Sequence, residues 1–259
     1  MPLFGLLGSG EFEAWTEPVD RWLLEQATGD GSVLILPAAS APEGQEVFER
    51  WASMGLEHYD ELGIPADVVP LMTPADAERD DLIRMLEPAS MVFFSGGNPA
   101  YLAGVLLGST FWQALLSKME RGMAYAGCSG GVACLGQAAI DSTIRDFASP
   151  DLWKPGLELF PKTYFGPHWD ALDRYVPGLQ AMFVSAVPSG SVLMGIDERT
   201  AVVGDGVEWS VMGAGETSLI QEGDHQSFAN GAAFHAALLA PATVEVLPKA
   251  AEPDPRPAS

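Results

Sequence analysis

The segment Gly127-Cys128-Ser129-Gly130-Gly131 follows a run of small apolar residues and has the spacing Gly-x-Ser-x-Gly. This spacing is typical of a nucleophile elbow, in which a serine occupies a strained turn between a strand and a helix. Side chains two residues before and after the serine would collide there, so glycine is required at 127 and 131. The amides that open the following helix would face an oxyanion. The pattern predicts that Ser129 is a nucleophile; an inert serine in a glycine-rich turn is the alternative.

A nucleophilic serine needs a general base, and the sequence contains four histidines for that role. His168 is favoured because it lies in a predicted loop, between a proline and a tryptophan, where functional residues concentrate. His225 lies in a polar turn that is typical of a solvated surface. His58, in an amphipathic helix, and His235, in an alanine-rich C-terminal helix, are expected to have packing or surface roles.

Strand-like and helix-like segments alternate along the first half of the chain. Apolar runs rich in β-formers predict strands at 3–7, 33–36, 67–71, 91–94 and 123–126. Apolar residues at helical spacing predict helices at 14–27, 45–62, 75–86, 101–107 and 111–121, with a further helix over 132–140. This alternation predicts an α/β fold with a parallel sheet and helices on both faces.

Ligands of such sheets bind beyond the carboxyl ends of the strands, so the residues after each strand are candidates for binding. Gly8-Ser9-Gly10-Glu11 follows the first strand, but Glu13 stands where a dinucleotide-binding fingerprint needs glycine, which excludes that site. Gly96-Gly97 follows the fourth strand and allows close approach of the backbone to a substrate. One of these two amides is a candidate oxyanion donor, and a plain loop turn is the alternative.

The second half of the chain has a different texture. Residues 141–167 are rich in proline, aspartate and aromatic residues, which predicts a long irregular loop. Long irregular loops in compact domains are often functional. Short apolar segments at 192–196, 201–203, 207–212 and 218–221 predict antiparallel strands that form an added edge layer. The Pro- and Ala-rich tail, 249–259, is expected to be disordered, which leaves residues 1–248 as a single domain.

Thirteen basic and 35 acidic residues among 259 give a formal charge of −22. This charge repels nucleic acid and anionic membranes, so neither is expected as a partner. The sequence starts without a basic leader, and no apolar run has the length of a membrane span, which predicts a cytoplasmic protein. Cys128 and Cys134 lie on either side of the elbow serine, and the spacing does not favour a disulfide.

Six motifs in a fixed order carry a resemblance that runs from Leu6 to about Ile220. They are Leu7-Gly8-Ser9-Gly10-Glu11-Phe12, Leu34-Ile35-Leu36-Pro37-Ala38-Ala39-Ser40, Phe93-Phe94-Ser95-Gly96-Gly97-Asn98, the elbow, Gly156-Leu157 followed by Pro167-His168-Trp169, and Gly195-Ile196-Asp197-Glu198-Arg199-Thr200-Ala201. Together they resemble the dipeptidase E and cyanophycinase-like serine exopeptidases, which share a class I glutamine amidotransferase-like fold. The resemblance implies three α/β/α layers around a mostly parallel sheet, and hydrolysis of small peptides.

The resemblance also implies roles for individual residues. Ser129 corresponds to the nucleophile, His168 to the base and Glu198, in the Gly-Ile-Asp-Glu segment of the cyanophycinase branch, to the acid that orients the base. In the dipeptidase branch the acid instead follows the elbow, where Asp141 and Asp146 are the candidates. In either case a carboxylate beside the imidazole fixes its tautomer and stabilises the imidazolium.

By the same resemblance, the amides of Gly97 and Gly130 form the oxyanion hole. The implied substrate-binding residues are Gly96, Asn98, Asp170 and Arg174. No cofactor is implied, and no metal site is expected, because His168-Trp169-Asp170 lacks a further ligand at helical spacing. Members of the family often form dimers, so a homodimer is compatible with the resemblance.

The chain departs from the family pattern at three places. Gly130 replaces an alanine of the elbow, Pro99 replaces a polar residue that helps to hold substrate, and Arg174 alone remains of the arginines that follow the histidine in the cyanophycinase branch. Specificity for acidic residues or for β-aspartyl-arginine is therefore not transferred to this chain.

Two other functions fit parts of the sequence. An α/β-hydrolase esterase would use the order Ser129, then Asp197 or Asp205, then His225, although no His-Gly-Gly oxyanion motif precedes the elbow. A non-catalytic binding protein that keeps the amidotransferase-like fold would fit the altered elbow and the proline after Gly-Gly-Asn.

Overall fold

The computed structural model describes residues 2–236, whose strands form an eight-stranded sheet, a four-stranded sheet and a two-stranded sheet of Ala138–Ile140 and Trp153–Pro155. The described strands are β1 (Leu3–Leu7), β2 (Val33–Leu36), β3 (Ala66–Val68), β4 (Met91–Phe94), β5 (Ala124–Cys128), β6 (Ala138–Ile140), β7 (Trp153–Pro155), β8 (Thr163–Pro167), β9 (Val192–Ile196), β10 (Thr200–Gly204), β11 (Glu208–Gly213), β12 (Glu216–Gln221), β13 (Asp224–Ala229) and β14 (Ala233–His235). The tail predicted to be disordered, 249–259, lies outside the described residues, and the division at 248 remains a prediction.

The described α-helices connect these strands. They are α1 (Glu17–Gln26), α2 (Gln45–Glu61), α3 (Asp80–Met85), α4 (Pro99–Leu106), α5 (Thr110–Glu120), α6 (Gly130–Ala133), α7 (Leu172–Tyr175) and α8 (Leu179–Ala186). Short 3-10 turns occur at Ala14–Thr16, Ala38–Glu43, Asp76–Glu78 and Trp169–Ala171. Within the described chain, no single helix is long and apolar enough to cross a membrane; α4 and α5 pass that test only as a pair bent by 91°.

The large sheet has eight strands in the order β14-β11-β10-β1-β5-β4-β2-β3. The five strands from β1 to β3 in this order are parallel, and β10, β11 and β14 extend the sheet with antiparallel pairs. The predicted α/β fold with a mostly parallel central sheet is confirmed.

Side chains on successive residues of the central strands enter two separate cores. In β2, Leu34 and Leu36 belong to the larger core, whereas Val33 and Ile35 belong to the core on the opposite face. Because both faces are covered, these strands are apolar at every position, as expected for a buried parallel sheet. The larger core packs against α4 and α5, and the other packs against α1 and α2, which gives the three layers.

The predicted edge layer is correct only in part. Of its four strands, β10 and β11 do join the large sheet, but β9 and β12 belong to a second sheet with the order β13-β12-β9-β8. In that sheet β9 runs parallel to β8, a strand within the stretch predicted to be irregular. His235, predicted to lie in a helix, lies instead at the end of β14.

The helix predicted over 132–140 is also wrong, since α6 ends at Ala133 and the chain then forms β6. The Cys134 carbonyl, which a continued helix would use internally, accepts instead from the Leu157 amide at 2.8 Å. The chain packs so closely that a Cβ at Gly136 would lie 2.6 Å from the carbonyl oxygen of Thr163. The neighbouring Gln137 amide donates to that same oxygen at 2.9 Å. The chain after the elbow is therefore held against β8, the strand that leads into His168.

Candidate active site

Ser129 lies at the carboxyl end of β5, between the central strand and the short helix α6. Its backbone angles, φ 49° and ψ −106°, are strained for a residue with a side chain, as expected for a serine on a nucleophile elbow. The Ser129 amide donates to the carbonyl of Leu7 at 3.0 Å, which fixes the turn to the end of β1. The strand-turn-helix setting that the motif requires is present.

Glycines allow the elbow to pack tightly. A Cβ at Gly127 would collide with the carbonyl oxygen of Gly131, and a Cβ at Gly131 would collide with that of Phe94. The buried Tyr125 hydroxyl donates to the Gly131 carbonyl at 2.6 Å and closes the turn from below. The steric requirement inferred from the motif is therefore met by particular backbone contacts.

His168 and Glu198 reach Ser129 because each follows a strand of the second sheet. His168 comes directly after β8 and Glu198 follows β9, and these neighbouring strands are parallel, so their carboxyl ends meet. Nε2 of His168 lies 3.0 Å from the Ser129 hydroxyl, and Nδ1 lies 3.2 Å from Oε1 of Glu198. With the proton on Nδ1, the ring accepts from the serine and donates to the glutamate.

Two further groups hold the carboxylate of Glu198, and a third contact holds its backbone. The Tyr175 hydroxyl donates to Oε1 at 2.7 Å, Arg174 donates to Oε2 at 3.1 Å, and the Glu198 amide donates to Asp170 at 2.8 Å. The hydrogen bond from Tyr175 is the largest cause that lowers the pKa of Glu198; burial opposes it, and His168 and Arg174 lower the pKa further. The carboxylate facing His168 is thus kept in its charged form.

Two residues predicted to bind substrate have other partners. Asp170 and Arg174 hold Glu198, as described above, and neither lines the cavity beside the serine. They lie one helical turn apart and form an ion pair at 3.4 Å, so Arg174 bridges the carboxylates of Asp170 and Glu198. In this structure both residues position Glu198, and their contact with substrate stays a prediction.

Asn98 and Gly96 are likewise occupied. The Asn98 side chain caps α4 by accepting from the Tyr101 amide at 3.2 Å, and it donates to Asp141 at 2.8 Å. The Gly96 amide donates to Glu11 at 2.8 Å. The structure therefore gives Asn98 and Gly96 roles in shaping the loop.

The other acids considered for the triad do not contact His168. Asp141 accepts from Asn98 and Thr143, and Asp146 accepts from the amide of Ala148. Asp141 is half-buried and Asp146 is exposed, and these hydrogen bonds occupy one oxygen of each carboxylate. Of the three candidates, Glu198 alone has the contact that the role requires.

Glu11 is a site residue that the sequence analysis did not single out. Its side chain is buried, accepting from the Gly96 amide at 2.8 Å and from the Cys128 thiol at 2.9 Å, so it ties the Gly96-Gly97 loop to the elbow. Burial is the main cause that raises the pKa of Cys128 well above its ordinary value, and Glu11 adds to it. The thiol beside the nucleophile is consequently unreactive. The sequence feature that points to Glu11 is its position just after β1, where ligand-binding residues of such sheets are found.

The Gly97 and Gly130 backbones lie against each other beside Ser129. A Cβ at Gly130 would lie 2.7 Å from the Gly97 carbonyl oxygen, which explains why this elbow has glycine where the resembling family has alanine. Among the hydrogen bonds of residues 2–236, neither the Gly97 nor the Gly130 amide donates one. Both residues line the cavity that contains Ser129 and His168, so both amides are available to an oxyanion there.

The residues of the alternative esterase triad lie elsewhere. His225, on β13, pairs with the Ser218 hydroxyl at 3.0 Å, and Asp205 accepts from the amides of its own turn. The alternative acid, Asp197, accepts from the Glu216 amide at 2.9 Å. The esterase arrangement does not form, because none of these three groups contacts Ser129 or His168.

No group of three or more His, Cys, Asp or Glu side chains between residues 2 and 236 is arranged to hold a metal ion. Cys128 and Cys134 are both buried, and both are free thiols.

Known proteins similar to this chain share its fold. The family model for peptidase family S51 matches residues 4–212. The crystal structure of a peptidase from an acI-B1 Actinobacterium is 26% identical with a TM-score of 0.82, covering 91% of this chain and 97% of that one. A putative peptidase E protein from Listeria monocytogenes EGD-e is 15% identical with a TM-score of 0.56, covering 88% and 98%, a likeness of fold alone. No curated protein matched. Because the family model covers most of its length, the chain belongs to peptidase family S51.

Proposed function

We propose that this protein is a serine peptidase that hydrolyses small peptides through an acyl-enzyme on Ser129. The observation that carries the proposal is the continuous hydrogen-bonded chain from the Ser129 hydroxyl through the His168 ring to Glu198. This is the order of groups that activates a serine for acyl transfer. Membership of peptidase family S51 supports a peptide as the substrate.

The proposed reaction has two halves. As the Ser129 hydroxyl oxygen attacks the peptide carbonyl, Nε2 of His168 takes its proton, and the imidazolium is stabilised by the Glu198 carboxylate. The oxyanion accepts hydrogen bonds from the Gly97 and Gly130 amides. The proton then passes from His168 to the leaving amine as the C–N bond breaks. Water, deprotonated by the same nitrogen, releases the acid product and restores the serine.

The size of the cavity favours a small substrate. Ser129 and His168 line a cavity of about 330 Å³, near the lower limit for small-molecule sites. We therefore propose an exopeptidase that acts on dipeptides or tripeptides without a cofactor. The sequence-based expectations of a cytoplasmic location, no nucleic-acid or membrane partner, and a homodimer remain proposals.

Turnover of a dipeptide and tripeptide library, read by mass spectrometry, tests this function. Ser129→Ala is expected to lower kcat/KM by about a thousandfold or more. Ser117→Ala, on the distant helix α5, is the matched control and should retain activity. Equal turnover by Ser129→Ala and the wild type would overturn the proposal, and absence of turnover by both would favour a non-catalytic binding protein. Faster cleavage of peptides blocked at both ends, by N-acetylation and C-terminal amidation, than of free peptides would contradict the exopeptidase assignment.

A further inference from the structure

The cavity beside Ser129 is predominantly apolar. Its lining includes Ala138 and Ile140 of β6, Phe165 of β8, and Leu179 and Phe183 of α8. Resting on the proposed function, we propose that this cavity is a specificity pocket for a large apolar side chain on a residue that flanks the scissile bond. The substrate class is thus a small peptide with an aliphatic or aromatic residue at that position.

The location of the pocket links it to the reacting bond. Gly97, Ser129, Gly130 and His168 form part of the same lining. A peptide whose carbonyl lies at the Ser129 hydroxyl therefore has a neighbouring side chain at the entrance of the cavity. The pocket therefore binds the side chain of a residue next to the scissile bond.

The part of the lining formed by Trp153 and Phe183 is preformed by aromatic packing. The Trp153 and Phe183 rings meet edge to face with centroids 5.4 Å apart, and Trp153 meets Tyr164 in the same manner at 6.0 Å. Phe183 and Tyr164 are buried members of a core cluster against which Ile140 packs. Because the wall is part of a packed core, an apolar side chain enters a fixed surface and no large rearrangement is needed.

The charges around the pocket do not favour an acidic side chain. The lining residues include no Asp, Glu or Lys, and besides His168 they include one cation, Arg145, which is exposed to solvent. Attraction to such an exposed charge is weakened by water and salt. Burying a carboxylate against the apolar wall would remove its hydration without a buried partner. Pro99, which replaces the polar substrate-holding residue of the resembling family, also lines this cavity.

The preference is tested with matched dipeptides. Phe-Gly and Leu-Gly are compared with Asp-Gly and Arg-Gly, and Gly-Phe and Gly-Leu with Gly-Asp and Gly-Arg, so that either side of the bond is covered. In one of the two series, kcat/KM for the apolar peptides should exceed that for the charged ones by about tenfold to a hundredfold, the gain from burying an apolar side chain. Equal rates, or faster cleavage of the aspartyl peptides, would overturn the pocket assignment.

A charge placed in the pocket should reduce the preference. Ile140→Arg puts a cation in the lining of the cavity. The ratio of kcat/KM for apolar peptides to kcat/KM for acidic peptides should then fall by about tenfold or more. Val184→Arg is the control, because Val184 lies on α8 but does not line this cavity. Ile144→Arg, at a half-buried loop position in the lining, repeats the test if Ile140→Arg fails to fold. An unchanged ratio in the pocket variants, or an equal fall in Val184→Arg, would overturn the proposal.

Labelling with a small fluorophosphonate separates failure of the pocket from failure of the reaction. If the wild type is labelled at Ser129 but shows no apolar preference, the specificity proposal alone is wrong. If Ser129 is not labelled and no peptide is cut, the proposed function is wrong, and the pocket assignment falls with it.

Discussion

Among residues 2–236, two histidine–carboxylate pairs lie beside a hydroxyl group, and their surroundings differ. In the buried pair, Nε2 of His58 lies 2.9 Å from Asp20 and 3.3 Å from the Thr16 hydroxyl. The Tyr59 hydroxyl donates to the other Asp20 oxygen at 3.1 Å, and burial, followed by the Asp20 charge, raises the pKa of Tyr59 well above its usual range. One ring nitrogen faces both the hydroxyl and the carboxylate, so the ring does not connect them.

In the open pair, the two ring nitrogens of His168 face different groups. Nε2 faces the Ser129 hydroxyl and Nδ1 faces Glu198, so the ring connects a hydroxyl to a carboxylate. The His168 and Glu198 side chains are 28% and 32% exposed, whereas those of His58 and Asp20 are 5% and 1% exposed. Residue types alone therefore do not define a site; ring orientation and access to a cavity do.

The largest expected effect is loss of activity when the open histidine is removed. His168→Ala should lower kcat by about a thousandfold or more, because Ser129 loses its base. The free energy of unfolding, measured by urea denaturation, should change little, since the ring is partly exposed. Near wild-type turnover by His168→Ala would show that His168 is not the base for Ser129 and that the two pairs do not differ in function.

Removal of the buried histidine should have the reverse result. His58→Ala leaves Asp20 and Thr16 buried without their shared partner, so the free energy of unfolding should fall by about 3 kcal/mol. Urea denaturation measures the loss, and kcat per folded molecule should match the wild type. If His58→Ala were stable but inactive, the two pairs would not be separate in role.

An intermediate effect is expected from the carboxylate of the open pair. Glu198→Gln removes the charge that stabilises the His168 imidazolium, and kcat should fall by about thirtyfold, or ~2 kcal/mol. The matched control is Glu208→Gln, which alters the exposed pair of Glu208 with His235, 2.7 Å long. Steady-state kinetics of both variants should show a decrease in the first alone; a similar decrease in both would refute a specific role for Glu198.

The oxyanion side of the open pair is tested at the elbow. Gly130→Ala restores the residue of the resembling family, yet its Cβ would press on the Gly97 carbonyl, so kcat/KM should fall by about tenfold. Gly104→Ala, in α4, is the control, since a Cβ there meets no atom within 4 Å. Increased activity of Gly130→Ala would show that the two glycine loops are not matched to each other.

The smallest effect concerns the hydrogen bond from Tyr175 to Glu198. Tyr175→Phe removes the main cause that lowers the pKa of Glu198, so that pKa should rise toward its ordinary value of 4.5. A carboxylate whose pKa is lowered by folding stabilises the folded state at pH values above its ordinary pKa. This stabilisation is lost as pH falls through the pKa of the folded state. The wild type should therefore exceed Tyr175→Phe in unfolding free energy by less than about 1 kcal/mol near neutral pH. The difference should shrink in acid; a constant difference would mean that the hydrogen bond does not act on the charge.

Local features of the site were accessible from the sequence. The elbow was predictable because Gly127, Ser129 and Gly131 are close in the chain, and steric rules apply directly to such a turn. His168 was favoured by its loop context. Glu198 came from the family resemblance, since its contact with His168 joins residues 30 apart in sequence.

Features that depend on packing between distant segments were not accessible. Glu11 meets Gly96 across 85 residues, and Asn98 and Gly96, predicted to bind substrate, are occupied by such partners. The helix predicted over 132–140 does not form because backbone groups of Cys134 and Gln137 pair with distant segments, at Leu157 and Thr163, which overrides local propensity. Hydrophobic periodicity carries no information about these contacts.

Labelling by a fluorophosphonate, followed by intact and peptide mass spectrometry, tests the central claim most directly. The wild type and His58→Ala should both gain one label, on Ser129, whereas His168→Ala should remain unlabelled at the same probe concentration. Labelling of His168→Ala at the wild-type rate, or of Cys128 in place of Ser129, would contradict the account.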